Sequence, residues 1–523
     1  MKRRNFCQAA VLIPATNIIL PTKSEAQAAD KANEAKKASK PAVPKAQAKS
    51  GTIRQGISAK EADGMTYSDM SKPSGKSVVA GGPAEKTDSK PYQMPLTQEE
   101  QDMLGGSKGP EMAKLMKILV AHGNAFGADK LVKLGGRPHS SMYFGTEYMA
   151  SLIGIFDEVA KAGLKSYAPY TVNPRPYDAY NVNNNPTDMQ LIYEGYARQR
   201  DVDWVHVRLG SPDLNYRSCA CYVPEIGNAP KPGTYVAWAE SSAVNYGNSA
   251  LGLRTNRNAT GMELLCAIVG KAPRFGLMTD EGRKAKWLID VKTSKEPDWG
   301  VIGTAIGRKC VEDVPFIAGL DSYFGGKITN ENMHKLKAMG SATASSGAVG
   351  LYHVEGVTPD AQQHERKLLL DGYQTYVIDD AEQERIRDTF ENQWTKKDHA
   401  PTHCFIGCPH NTYDEILQWG TNVTKALEKN GKKEAAIPVY LFCANVVRDH
   451  LVEEHPELVG RMKQAGMKFT NMCSVSYAGM KGFSERVFGV TNSAKTRNYS
   501  TLRYFPDDVL LEIIVTGEIP KNA

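Results

Sequence analysis

The sequence has no apolar run approaching the ~20 residues that a transmembrane helix needs. With a mean hydropathy of −0.42 and 41 % hydrophobic residues, a multi-span membrane protein is excluded. There is no Cys-x-x-Cys pair, so a zinc ribbon is not indicated. Nine cysteines in 523 residues are too sparse for a disulfide scaffold. No internal repeat of roughly 20–50 residues is present, which excludes solenoids and propellers. A broad excess of one charge is also lacking. The formal net charge of +6 comes from one end: residues 1–95 hold 16 Lys/Arg against 8 Asp/Glu, the remainder 48 against 50. Positive charge confined to a tail does not describe a nucleic-acid-binding surface, so no nucleic-acid partner is expected.

What is present divides into three parts. Residues 1–29 have a basic start (Lys2, Arg3, Arg4), a mostly apolar stretch from Cys7 to Pro21, and small residues at Ala26-Gln27-Ala28. This predicts a twin-arginine-like export signal; the alternatives are an ordinary secretory signal or a merely basic terminus. The expected location is periplasmic, or cytoplasmic if the signal does not function, with the membrane met only in transit. Residues 30–94 are rich in Ala, Lys, Ser, Pro and Gly, and cannot bury enough surface to offset chain entropy; a disordered linker is expected. Residues 95–523 read as the folded body. Thr97 with Glu100 has capping-box spacing, and Pro110 suits a helix first turn. Met112, Leu115, Met116 and Leu119 follow at helical spacing, and Glu147–Ala162 repeats the pattern up to Gly163. Apolar runs over Trp204–Leu209, Val349–Val354, Cys404–Ile406 and Val439–Ala444 predict strands. Their alternation with helices predicts an α/β fold with largely parallel sheets.

Among the cysteines, Cys266 and Cys443 sit in apolar stretches and read as packing residues. Cys408 differs. In Cys404-Phe405-Ile406-Gly407-Cys408-Pro409-His410-Asn411-Thr412 a strand is followed by a tight turn and a helix start near Asn411 or Thr412. That is the usual ligand crevice of an α/β sheet, where helix N–H groups favour a thiolate. Cys473 also ends a strand-like run, and Cys221 lies in a Pro- and Gly-rich loop. Spacing leaves open whether these three thiols are joint metal ligands or unrelated.

Longer motifs carry a resemblance. Ala237-Trp238-Ala239-Glu240-Ser241-Ser242-Ala243-Val244 is followed by Asn248-Ser249 and Gly252-Leu253-Arg254-Thr255-Asn256-Arg257. Later come Ser345-Ser346-Gly347-Ala348-Val349, His353-Val354-Glu355-Gly356-Val357-Thr358-Pro359, Gly407-Cys408-Pro409-His410 and Thr491-Asn492-Ser493-Ala494-Lys495. In this order the motifs resemble the catalytic large subunit of the aconitase X family, over residues 95–523.

The resemblance implies an aconitase-like, multi-lobed body and a hydro-lyase. The substrate would be a small hydroxylated carboxylic acid such as 3-hydroxyproline or mevalonate 5-phosphate. It implies an iron–sulfur cluster, 4Fe-4S or 2Fe-2S, on Cys221, Cys408 and Cys473. An iron with an open position would act as Lewis acid for the departing hydroxyl. Ser241, Ser242, His410 and Lys495 are the catalytic candidates. His139, Asn173, Glu240, Arg254, Arg257 and Ser493 are candidates for binding substrate, since cationic and hydrogen-bonding groups must stabilise developing carboxylate charge. For the two arginines the alternative is a structural ion pair, for His410 a role behind the cluster. The family also needs a small swivel domain bringing a serine, here expected as a separate subunit. The sequence departs from the family at Tyr222-Val223, at Asn471-Met472 and at Arg497-Asn498. It also has an extra thiol, Cys219, which competes with Cys221 as first ligand. An aconitase-like isomerase, or a non-catalytic exported iron–sulfur or ligand-binding protein, remains as alternative.

Overall fold

The structure, a computed structural model, describes residues 92–521 apart from 183–184, 212–215, 481 and 484. The export signal and the linker expected before residue 92 lie outside the described residues. Among the described residues no helix is long and apolar enough to cross a membrane.

The expected helix starts form. Thr97 caps Gln98–Leu104 with a reciprocal box to Glu100, and Pro110 opens Pro110–Ala125. That second helix buries Met112, Leu115, Met116 and Leu119, the stripe that its 3.6-residue spacing requires. Trp204–Leu209 is a correction. It is the end of a helix, Gln199–Leu209, with Val202, Val205, His206 and Leu209 buried on one face, and with Trp204 and Val207 exposed. The intervening Asp, His and Arg make the pattern helical rather than alternating. The Val349–Val354 run contributes only His353–Val354 as strand.

Two all-parallel sheets dominate. One runs, side by side, His353–Val354, Pro315–Ala318, Ala285–Lys292 and Leu369–Asp379. The other runs Met467–Thr470, Val439–Phe442, His403–Ile406, Gly489–Thr491 and Arg503–Tyr504. Val439–Phe442 is buried at every position, as continuous apolar strands in a covered parallel sheet must be. Two-stranded pairings flank them, one antiparallel (Leu131–Lys133 with Lys271–Pro273), one parallel (His139–Ser140 with Thr171–Val172).

In the five-stranded sheet the chain steps outward from His403–Ile406 through two strands, then returns to add Gly489–Thr491 on the other side of His403–Ile406. This reversal separates the loops after the two neighbouring strands. It opens a crevice at their carboxyl ends, where ligands bind in open α/β sheets.

Candidate active site

The loop after His403–Ile406 turns at Gly407, at φ 107°. A Cβ there would lie 2.3 Å from Asn411 Nδ2 and 2.8 Å from the Phe442 carbonyl oxygen, so both conformation and space demand glycine. Cys408 and a cis Pro409 follow, then Thr412 caps Tyr413–Lys429 with a box to Glu415. Across the crevice Ser493 caps Ala494–Tyr499, and its hydroxyl donates to the Cys408 carbonyl at 2.6 Å. The two loops at the reversal point are thus pinned together.

Cys473 caps Ser474–Ala478 beyond the Met467–Thr470 strand, its Sγ accepting the Ser476 N–H at 3.5 Å. Tyr143 Oη lies 3.8 Å from the same Sγ and 2.9 Å from Ser476 Oγ.

A further thiol, Cys219, reaches the same loop, two residues before Cys221. Cys219 Sγ accepts the His410 N–H at 3.3 Å, two residues from Cys408. Cys219, Cys408 and Cys473 are the partly exposed thiols among the described residues; Cys221, Cys266, Cys310, Cys404 and Cys443 are buried. Charge on Cys408 is felt at Cys219, at Cys473 and at Lys495. Cys221 instead feels Thr171, Glu240 and Arg137 and has no exposed surface. Burial pushes the Cys219 thiol well up, as does Glu240; it pushes Cys473 up as well.

Among the described residues no three His, Cys, Asp or Glu side chains are gathered closely enough to hold a single ion. Three thiols around one crevice suit a broader group. An iron–sulfur cluster holds its thiolates apart across several atoms and replaces proton by metal on each sulfur. The donor set fits such a cluster.

A buried ion pair faces the thiols. Lys495 Nζ bonds Glu240, donates to Ser242 Oγ at 2.6 Å and lies 3.0 Å from Ser241 Oγ. Burial opposes the Lys495 charge, but Glu240 outweighs it and raises its pKa. Burial likewise opposes the Glu240 charge, and Lys495 outweighs it, so both ends stay ionised. Glu240 caps Ser241–Ser249 through the Ala243 N–H at 2.8 Å while holding φ at +80°. A non-glycine residue there carries strain of about 1–3 kcal/mol, which the ion pair and the cap together sustain.

His139 and Asn173 are joined, Nε2 to Oδ1 at 3.0 Å, and Thr171 Oγ1 sits 2.9 Å from His139 Nδ1. The His139 backbone pairs with Ala239, next to Glu240. Burial lowers the His139 pKa to about 4, so the ring is neutral.

His410 follows Cys408 and Pro409 in the same loop. It is buried, with Nε2 3.0 Å from the Met472 carbonyl and Nδ1 3.2 Å from Ser218 Oγ. Both ring nitrogens are engaged and burial holds its pKa near 4. The ring and backbone of His410 tie the Cys219, Cys408 and Cys473 loops together.

Arg254 and Arg257 stand outside the constellation. Arg254 pairs with exposed Asp280 at 2.5 Å, and Arg257 with exposed Glu312 at 3.2 Å.

A cavity of about 800 Å³ opens beside Cys473. Tyr143, Tyr196, Ser476 and Tyr499 line it, with Glu194 and Glu485 at its wall. Tyr143 and Ser476 connect it to the Cys473 sulfur. Sequence reasoning missed these tyrosines, because one or two aromatic residues in an irregular loop carry no periodic signal.

Comparisons with known proteins place the whole chain in a family. The family model described as Aconitase X first domain matches residues 93–281, and that described as Aconitase X second domain matches 285–388. The phosphomevalonate dehydratase large subunit of Thermococcus kodakarensis is 31 % identical, over 68 % of this chain and 82 % of its own. That of Methanothermobacter thermautotrophicus is 32 % identical, over 77 % and 93 %. The cis-3-hydroxy-L-proline dehydratase of Pseudomonas aeruginosa is 29 % identical, over 50 % of this chain and 43 % of its own. The crystal structure of Thermococcus kodakaraensis aconitase X in its holo form superposes with a TM-score of 0.66 at 27 % identity, covering 81 % of this chain and all of that one. The parallel sheets, the thiol crevice and these matches converge on one conclusion: the chain belongs to the aconitase X family.

Proposed function

We propose that this chain is the large subunit of an iron–sulfur dehydratase acting on a small hydroxylated carboxylic acid of the 3-hydroxyproline kind, completed by a separate small swivel subunit. Its class, a hydro-lyase of the aconitase X type, follows from family membership. The observation that carries the rest is the meeting of Cys219, Cys408 and Cys473 with a charged, buried Lys495 at one crevice.

Cys219, Cys408 and Cys473 would hold the cluster, which would supply a Lewis-acidic iron for the departing hydroxyl. The residues of the chain do the remaining work. Lys495 Nζ, kept protonated by Glu240, presents a fixed positive charge where carboxylate charge grows as the neighbouring proton leaves. Ser241 and Ser242 hold that ammonium in place. The neutral His139–Asn173 pair offers hydrogen bonds without a competing charge. Ser493 and neutral His410 fix the thiol loops. The relatives named large subunits support the separate partner. Export of a folded, metal-loaded protein through the twin-arginine-like signal is part of the same proposal, since such a cluster is acquired before translocation.

The test is anaerobic purification with and without a co-expressed small subunit, followed by absorption and EPR spectra and a screen of hydroxy acids including 3-hydroxyproline and mevalonate 5-phosphate. A cluster signal with partner-dependent dehydration is expected. A cluster-free chain, or full activity from the chain alone, would sink the reading. Fractionation of cells expressing the full chain, with and without Arg3 and Arg4 changed to Lys, tests the location.

A further inference from the structure

Beside the thiol crevice lies an arginine pair that the mechanism above does not use. Arg175 Nη2 and Arg217 Nη2 both bind one carboxylate, Asp203, at 2.8 and 2.7 Å. Two guanidinium groups against one carboxylate leave one unneutralised positive charge. Arg217 is 1 % exposed, and its Nε and Nη1 have no hydrogen-bond partner; Arg175 Nε is likewise buried and unpartnered. Gln199 Nε2 adds a further bond to Asp203 at 3.2 Å, so that carboxylate already accepts three donors while the idle guanidinium N–H groups remain unpaired. Asp203 takes one edge of the buried Arg217 guanidinium, and the desolvation of its remaining N–H groups is left uncompensated by the chain. Such donors match an oxyanion, which accepts two parallel N–H bonds from one guanidinium.

Position adds a second argument. The Arg175 carbonyl accepts the Cys473 N–H at 2.6 Å, and Arg217 stands two residues before Cys219. Ser218, between them, bonds His410. Both arginines are therefore anchored to the backbone that carries two of the three thiols. The Arg175 side is one-third exposed while Arg217 is closed off, which gives an ion one way in. Tyr177, two residues after Arg175, packs on Tyr196 of the cavity wall with ring centroids 6.1 Å apart.

We propose that Arg175 and Arg217 form an oxyanion subsite beside the thiol centre that takes the second ionised group, phosphate or carboxylate, of the substrate. The assignment of the ligand to a substrate rests on the dehydratase reading; the site itself does not. Its occupant enters along Arg175, takes the idle edges of Arg217, and sets the distance between the anionic end and the reacting carbons.

The test is calorimetric titration of the full chain with inorganic phosphate and, separately, with acetate, at constant ionic strength in chloride. Saturable binding of one of them is expected. Arg175→Gln, at a half-open position, should weaken it by about tenfold with an unchanged circular-dichroism spectrum. Arg217→Lys, which keeps the charge and loses the fork, should weaken it similarly. Preference for phosphate assigns a phosphoryl end, preference for acetate a carboxylate end. Absence of saturable binding, or equal affinity in the wild type and Arg175→Gln, overturns the subsite. No activity is read, so a chain without dehydratase function still reports on the arginines.

Discussion

The two large parallel sheets are built to one plan, and only one carries the site. In each, the chain steps outward through two neighbours of its first strand and then reverses to add a strand on the other side. Each therefore has a reversal point with its own crevice. In the five-stranded sheet that crevice meets Cys408, Ser493 and Lys495. In the four-stranded sheet it is closed by backbone chemistry: Asp379 caps the next helix, and both carboxylate oxygens of Asp380 accept the Ser294 N–H at 3.2 Å. Topology supplies a place for chemistry twice; side chains decide which place is used.

The largest effect should come from the thiols. Cys219→Ser or Cys408→Ser should remove the cluster's absorption and EPR signals and lower dehydration by about a thousandfold, the scale of a lost Lewis acid. Cys221→Ser should keep both signal and activity. Loss of signal in Cys221→Ser with retention in Cys219→Ser would reverse the assignment. Next comes Lys495→Ala, which leaves Glu240 buried and unpaired and should cost about 3–5 kcal/mol in urea unfolding. Adding Glu240→Gln should restore part of that stability but none of the activity, which separates the structural from the electrostatic role.

Much of the five-stranded sheet was legible in advance. The strand–Gly407–Cys408–Thr412 reading held because each step has a local cause: apolar strand, left-handed glycine, capping hydroxyl. Glu240, Ser241, Ser242 and Lys495 were named from separate motifs, and the fold brings them into contact. What the sequence left open shares one origin. Choosing between Cys221 and Cys219, or deciding whether Arg254 reaches the site, requires knowing which way an irregular loop turns its side chains, and loops have no period to read. Trp204–Leu209 failed differently: a six-residue window does not separate a strand from the end of a helix, and the burial of Val202 settles it.

A shared weakness in acid sharpens the comparison. His353, in the four-stranded sheet, is fully buried, with Nε2 2.8 Å from the Arg283 carbonyl and its pKa pushed down to about 4 by burial. His206 is held lower, at about 3, by burial and by Arg217. In the unfolded chain both titrate near 6.5. The unfolded state thus binds more protons between these values, and stability present above pH 6.5 is lost as pH falls toward 4. For His353 the loss amounts to about 3 kcal/mol. Urea unfolding at pH 7 and pH 5 should show the fall, with a flatter slope in His353→Gln. An unchanged slope would mean that His353 does not stay neutral when buried.

The smallest effect tests the silent crevice directly. Asp380→Ala removes the acceptor of the Ser294 N–H and one negative charge from the first turn of Asp380–Asp388. An exposed hydrogen bond and a helix-dipole contact together are worth about 1 kcal/mol. Urea unfolding should register that loss, while the cluster spectrum and kcat/KM of the reconstituted enzyme stay at wild-type values. The reason is architectural: the four-stranded sheet meets the site through packing between helices, and one surface turn at its carboxyl end leaves that packing intact. A fall in kcat/KM without a matching fall in stability would show that the second reversal point takes part in function, and the contrast between the two sheets would fail there.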